Sequence, residues 1–132
     1  MKNALLLLLI SPLLAQAECH FKISGAPVCM SGSVAAAAYV RYGLDVAALG
    51  QSYNRALLHE SGCSLPYYGG AGKSKIRLVQ AGRVPTPNGW IAVDSIEVNG
   101  SDLWYVAANY LDGACEAFHP SVTTAPFTSR NP

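Results

Sequence analysis

Gly89-Trp90-Ile91-Ala92-Val93-Asp94-Ser95-Ile96-Glu97-Val98-Asn99-Gly100 is the stretch that decides the fold of this chain. Trp90, Ala92, Asp94, Ile96 and Val98 alternate with Ile91, Val93, Ser95 and Glu97, which is the period of two of a β-strand. Asn99-Gly100 then turns the chain, because both residues tolerate the positive φ of a type I′ hairpin turn. Leu103-Trp104-Tyr105-Val106 supplies the returning strand, and Ile76 to Gln80 is a short β-branched run upstream. Pro66, Gly69-Gly70, Gly72, Pro85, Pro87 and Gly89 mark connecting loops. Several short strands with tight turns predict a small antiparallel sheet, curled or closed into a barrel.

Before Cys63 the period is helical. Ser33 is placed to cap a helix through Ala35-Ala36-Ala37-Ala38 to Tyr42, alanine being the best helix former. Gly43 punctuates it. Asp45 or Ser52 starts a second helical stretch ending at Gly62, with Gly50 weakening its middle. Tyr53, Ala56, Leu57 and Glu60 follow the i, i+3, i+4, i+7 rhythm, which predicts that this mostly apolar face packs inward. The expectation over 31–62 is a helical hairpin or bent helix covering the sheet.

The segment Leu103-Trp104-Tyr105-Val106-Ala107-Ala108-Asn109-Tyr110-Leu111 resembles the end of a bacterial SH3-like domain. Such domains close with a hairpin strand carrying Trp, then a single helical turn ending in Tyr and an aliphatic residue. Val79-Gln80-Ala81-Gly82-Arg83-Val84 resembles the strand-Gly-strand step of the family, and Gly89-Trp90-Ile91-Ala92-Val93 its next strand. The resemblance covers residues 63–114. It departs from the family at the start, where a Gly-rich stretch stands in place of the usual first strand. It implies a small antiparallel SH3-like barrel or curled sheet over those residues, and with the helical hairpin read from the pattern before Cys63 packed on it the expected fold is α+β. For function it implies a ligand groove of loop and edge aromatics, of the kind that binds cell-wall peptides.

The N-terminus carries an address. Met1-Lys2-Asn3 is a short positive head, Ala4 to Leu14 an apolar run, and Ala15-Gln16-Ala17 the small-x-small pattern before a signal-peptidase cut. The run is too short for the roughly 20 residues that cross a bilayer as a helix. Cys19 is a poor lipid-attachment site because Glu18, large and charged, precedes it. A signal peptide over 1–17 leaves 115 of the 132 residues, a single domain over 18–117 with helical 31–62 and β-rich 63–114, and a polar, turn-rich tail over 118–132 expected to be poorly ordered. The protein is expected in the periplasm or secreted, with no stable membrane insertion once the signal is removed. Without Lys2 the chain holds eight basic and eight acidic residues, so nucleic acid is not its expected partner.

All four cysteines lie after the signal, and no two are closer than ten residues. An even count in a small exported domain reads as two disulfides, and the spacing does not suit zinc. Of three possible connectivities, Cys29–Cys63 with Cys19–Cys115 is favoured. Cys29 just precedes the helical region and Cys63 just follows it, while Cys19 and Cys115 bracket the domain.

No catalytic constellation stands out. His59-Glu60-Ser61-Gly62-Cys63 gathers a base, a carboxylate, a hydroxyl and a thiol, but sequence neighbours on a helix do not face one another. Asp94, Glu97 and Asp102 could form paired carboxylates, the basis of an alternative reading as a small periplasmic hydrolase acting on cell-wall material. Gly69-Gly70-Ala71-Gly72-Lys73-Ser74 lacks the first glycine of a phosphate-binding loop. The aromatics lead further. Tyr67 and Tyr68 adjoin the glycine-rich loop, where rings are not needed for a strand core, and Trp90 with Arg83 is the second candidate position. The expected function is a non-catalytic binding module, without metal or cofactor, that recognises a protein or a cell-wall peptide in the bacterial envelope. Its role would be of the inhibitor, immunity, exclusion or envelope-assembly type.

Overall fold

The computed structural model describes residues 18–65, 75–100 and 102–115. The expected signal peptide, the pair Tyr67 and Tyr68 and the tail over 118–132 lie outside the described residues. The elements run β1 (His20–Phe21), β2 (Val28–Cys29), α1 (Gly32–Tyr42), α2 (Val46–Gly50), α3 (Ser52–Glu60), β3 (Cys63–Ser64), β4 (Ile76–Thr86), β5 (Gly89–Val98), β6 (Leu103–Ala107), a 3-10 turn (Ala108–Tyr110) and β7 (Leu111–Asp112). The fold is α+β with two antiparallel sheets. One is the ladder β1-β7. The other has five strands in the order β3-β2-β6-β5-β4 and is open, since β3 and β4 at its two ends do not pair.

The sheet is a meander, β4-β5-β6, extended by β2 and β3. Asn99 and Gly100 adopt φ of 54° and 74°, the positive pair a type I′ turn needs. The connection is nonetheless longer than two residues, because the last pair of β5 and β6 is Glu97 with Leu103. Asn99 also binds outward. Its side chain accepts from the Lys75 N–H at 2.8 Å and its own N–H donates to the Lys75 carbonyl at 2.7 Å, which fixes the start of β4. β4 runs to Thr86, well past Gln80 where the β-branched run ends. Pro85 lies within it rather than in a loop. A proline is tolerated there because β4 is an edge strand.

The helices form an excursion between neighbouring strands: β2 leads into α1, and β3 follows α3. The expected hairpin is divided into three segments. Ser31 rather than Ser33 caps α1. It has the extended backbone of a cap (φ −141°, ψ 156°), and its Oγ accepts from the Val34 N–H at 3.3 Å. Asp45 caps α2, accepting from the Ala48 N–H at 3.1 Å. The extended backbone of Gln51 separates α2 from α3.

α3 also turns a different face inward from the one expected. Tyr53 is 70% exposed, whereas Leu58 is buried. The inward stripe is Asn54, Leu57 and Leu58. Asn54 enters it because its amide donates to the Ala48 carbonyl at 2.8 Å and its oxygen accepts from the Tyr42 hydroxyl at 3.4 Å.

α1 packs on β2, β4, β5 and β6. Ala35, Ala36 and Ala38 meet the sheet's Leu78, Val93, Ile96, Val98 and Val106 in one buried core, with Phe21, Val28, Leu49 and Tyr110. Small alanines let the helix lie close to the strands.

Disulfides join Cys29 to Cys63 and Cys19 to Cys115, the pairing favoured from the spacing. Cys29 and Cys63 are direct partners across β2 and β3, so the bond closes the helical excursion at its base. Cys19–Cys115 closes the ends of the domain beside the β1-β7 ladder. Two disulfides fit an oxidising, non-cytoplasmic location. Among the described residues no helix is long and apolar enough to cross a membrane.

Candidate functional site

The β4-β5 hairpin turns through Pro87 and Asn88, with Thr86 and Gly89 as its closing pair. Thr86 holds the turn: its hydroxyl donates to the Gly89 carbonyl at 2.7 Å and accepts from the Asn88 N–H at 3.1 Å. Gly89 takes φ of 106°, a conformation that side-chain-bearing residues rarely adopt. The first and third pairs out from that closing pair build the site. Trp90 stands opposite Pro85, and Ala92 opposite Arg83. The Arg83 guanidinium carbon lies 4.4 Å from the centre of the Trp90 ring, within cation–π range.

Burial changes along the face that carries Trp90. Ile96 and Val98 are fully buried and Asp94 nearly so, yet Ala92 and Trp90 are exposed. The hairpin has outgrown the layer that covers its base. Trp90 remains 53% exposed, with the Arg83 guanidinium over its ring and Pro85 opposite it in the strand register. The structure thus brings together Arg83 and Trp90, and it adds Pro85, which sequence reading placed in a loop. The signal that could have found Pro85 is positional, because an edge strand near a turn is where a sheet accepts proline. Trp104 is half-buried against the core.

No known family model matches this chain. Comparison with curated proteins and with solved structures likewise finds no match. The site therefore has to be read from its own chemistry.

At the base of the arm Arg77 faces Glu97 across the strands, with Nε–Oε1 at 3.0 Å and Nη2–Oε2 at 2.9 Å. That two-point bond holds the Glu97 carboxyl below its ordinary pKa and the arginine above its own. Glu97 is thereby kept ionised, the wrong state for a general acid. It also lies three residues from Asp94 on one strand, so the two carboxylates point to opposite faces. His59 is exposed on α3, the Ser61 hydroxyl donates to the Leu57 carbonyl at 3.0 Å, and Cys63 is in a disulfide. The polar run from His59 to Cys63 is thus not assembled into a nucleophile and base. Among the described residues no three His, Cys, Asp or Glu side chains converge as a metal site would require.

A concave feature of about 230 Å³ lies between α1 and α3, with Val34, Ala38, Arg41, Tyr42, Leu57 and Leu58 in its lining. The Arg41 guanidinium lies over the Tyr42 ring at 5.5 Å, and the remainder of the lining named here is aliphatic.

Proposed function

We propose that this protein is an exported, non-catalytic binding module that recognises a protein or a cell-wall peptide in the bacterial envelope, with the tip of the β4-β5 hairpin as its contact centre. One observation carries the reading: an exposed tryptophan is held under a guanidinium on a projecting arm, where it adds little to the core. Trp and Arg are the residues that most often dominate binding energy at interfaces. Arg83 also immobilises the ring before any partner arrives, which lowers the ordering cost of association.

Export is supported by the Met1–Ala17 pattern and the two disulfides. The SH3-like reading is supported locally by β6 carrying Trp104, then the single 3-10 turn ending at Tyr110 and followed by Leu111. In that reading Tyr67 and Tyr68 contribute a second part of the groove. A hydrolase is the weaker alternative, because Glu97 is tied to Arg77, and among the described residues no nucleophile is assembled with the exposed His59.

The test is capture from periplasmic extract by immobilised protein with its disulfides intact, with captured proteins identified by mass spectrometry. The captured partner is then titrated against wild type and the Trp90→Ala and Arg83→Ala variants. A loss of about 2 kcal/mol, roughly 30-fold in Kd, is expected for Trp90→Ala. Undiminished binding by both variants would remove the hairpin tip as the contact centre. Turnover of purified cell-wall material, with no protein captured, would favour the hydrolase.

A further inference from the structure

Asn-Gly occurs twice in this chain, as Asn88-Gly89 in the β4-β5 turn and as Asn99-Gly100 directly after β5. The pair has a chemistry of its own. Glycine has no side chain to hinder its amide nitrogen from reaching the side-chain carbonyl carbon of the asparagine before it. The nitrogen loses its proton and bonds to that carbon, and the side-chain nitrogen leaves as ammonia. The five-membered imide so formed takes up one water at either carbonyl, giving aspartate or isoaspartate. Water is the only co-reactant.

The fold treats the two sites differently. At Asn99 the side-chain oxygen that belongs to the reacting amide accepts from the Lys75 N–H at 2.8 Å, and the Asn99 N–H donates to the Lys75 carbonyl at 2.7 Å. Turning that amide onto the Gly100 nitrogen breaks the first bond and loosens the start of β4. At the hairpin tip Asn88 and Gly89 are both exposed. The Thr86 hydroxyl accepts from the Asn88 N–H at 3.1 Å and donates to the Gly89 carbonyl at 2.7 Å. These bonds hold the peptide groups on either side of the Asn88–Gly89 bond. Neither the Asn88 N–H nor the Gly89 carbonyl belongs to the imide ring, so ring closure breaks neither bond.

Conversion at Asn88 acts on the contact beside it. Two residues, Pro87 and Asn88, separate the closing pair Thr86 and Gly89. Isoaspartate routes the main chain through its Cβ, which lengthens that turn by one atom. The register that sets Trp90 opposite Pro85, and so under Arg83, depends on the length of the turn. Charge acts in the same direction. From Arg77 to Val93 the sequence has two arginines and no acidic residue, so either product brings the first carboxylate to the arm. It competes with the Trp90 ring for the Arg83 guanidinium.

We propose that Asn88 is a modification site, converted to aspartate or isoaspartate ahead of Asn99, and that its conversion releases the Arg83–Trp90 contact and weakens binding at the hairpin tip as the protein ages. The loss of binding rests on the binding-module reading, whereas the modification and the released contact do not.

The experiment ages isotope-labelled protein, disulfides intact, in warm, mildly alkaline buffer. Reduction and cleavage before aspartates then place Asn88 and Asn99 in different peptides, divided at Asp94. Mass spectrometry should find the amide exchanged for an acid at Asn88 roughly tenfold or more sooner than at Asn99, the factor that one retained hydrogen bond supplies. In NMR spectra the Trp90 indole and Arg83 Nε signals should move with the same time course. Asn88→Gln protein aged alongside should keep them in place.

Equal lifetimes of the two asparagines overturn the inference, as does earlier conversion of Asn99. Conversion at Asn88 with unmoved Trp90 and Arg83 signals overturns the released contact. If fresh protein captures a partner through Trp90 and converted protein binds it equally well, the inference falls while the module reading stands. If fresh protein captures no partner, the module reading fails, and the mass and NMR results still decide the modification and the contact.

Discussion

Tyr110 donates its hydroxyl hydrogen to the carbonyl of Gly43 at 2.6 Å, joining the last turn of the sheet to the end of α1 across 67 residues of sequence. Its ring meets Tyr39 edge to face at 5.3 Å, and Asn109 donates to the Tyr39 hydroxyl at 2.8 Å. Burial, with Tyr39 as a lesser cause, pushes the Tyr110 hydroxyl well above its ordinary pKa, so it stays a donor. Tyr110→Phe keeps the packing and removes only this donor, with an expected cost of about 1–2 kcal/mol. Gly43 itself has φ of 54° and ψ of −136°, outside the regions open to other residues. A Cβ placed there meets nothing within 4 Å, so Gly43→Ala should lose about 1–3 kcal/mol through backbone strain alone. Urea unfolding measures both, and an unchanged midpoint for Tyr110→Phe would refute the first.

The disulfides should matter more than any single hydrogen bond. By chain entropy alone, closing the Cys29–Cys63 loop contributes roughly 3.8 kcal/mol and the Cys19–Cys115 loop roughly 4.7, in a protein whose whole stability is of order 5–15. Cys19→Ser with Cys115→Ser should also strip amide protection from β1 and β7 first, because that ladder has only two residue pairs. Hydrogen exchange followed by NMR checks the order of loss. Protection that falls equally in both sheets would show that the ladder is held by something else.

How much of this was legible in the sequence depended on the range of the interactions. The β5 alternation, the alanine helix and the two disulfides follow from local pattern or from counting. Ser31 and Ser33 are chemically equal as caps, and only the backbone at Ser31 decides between them. Tyr53 reads as inward because it opens the i, i+3, i+4, i+7 rhythm of Tyr53, Ala56, Leu57 and Glu60, but Leu58 takes the core position, with Asn54 beside it satisfied by the Ala48 carbonyl. Trp90 with Arg83 is a candidate position in the sequence, but that the two side chains touch follows only from the pairing register. That register is set by a turn centred on Pro87–Asn88, one residue before the Asn88-Gly89 pair on which a two-residue hairpin signal would centre it. Pro85 was missed because whether a proline is allowed in a strand depends on which strand is the edge.

The Arg77–Glu97 bond gives stability a definite pH dependence. The Glu97 carboxyl is lowered from 4.5 by the arginine's hydrogen bond. A folded-state pKa below the unfolded one contributes stability that is present above the unfolded value and lost as pH falls through the folded one. The thermal midpoint of Glu97→Gln should therefore lie below wild type at neutral pH and converge on it as pH drops below the ordinary carboxylate range. Added salt should narrow the neutral-pH difference, since the pair is exposed to solvent. A constant difference from neutral to strongly acid pH would mean that the glutamate acts through packing rather than charge.

Trp90 and Trp104 can be told apart by light. Trp90 is 53% exposed beneath Arg83, whereas Trp104 is half-buried against the core. Replacing Trp90 by Phe should remove the emission that acrylamide quenches most readily, and leave the thermal midpoint within a few degrees. A lost surface cation–π contact is worth only about 0.5–1 kcal/mol. Trp104→Phe should show the reverse pattern, with little change in quenching of the remaining emission and a larger fall in stability. Arg83→Ala should raise the quenching of Trp90 without unfolding the protein, because one face of the ring then opens to solvent. If Arg83→Ala leaves quenching unchanged, the guanidinium does not cover the ring in solution. The Trp90 arm would then lose the preorganisation that the binding reading assigns to it.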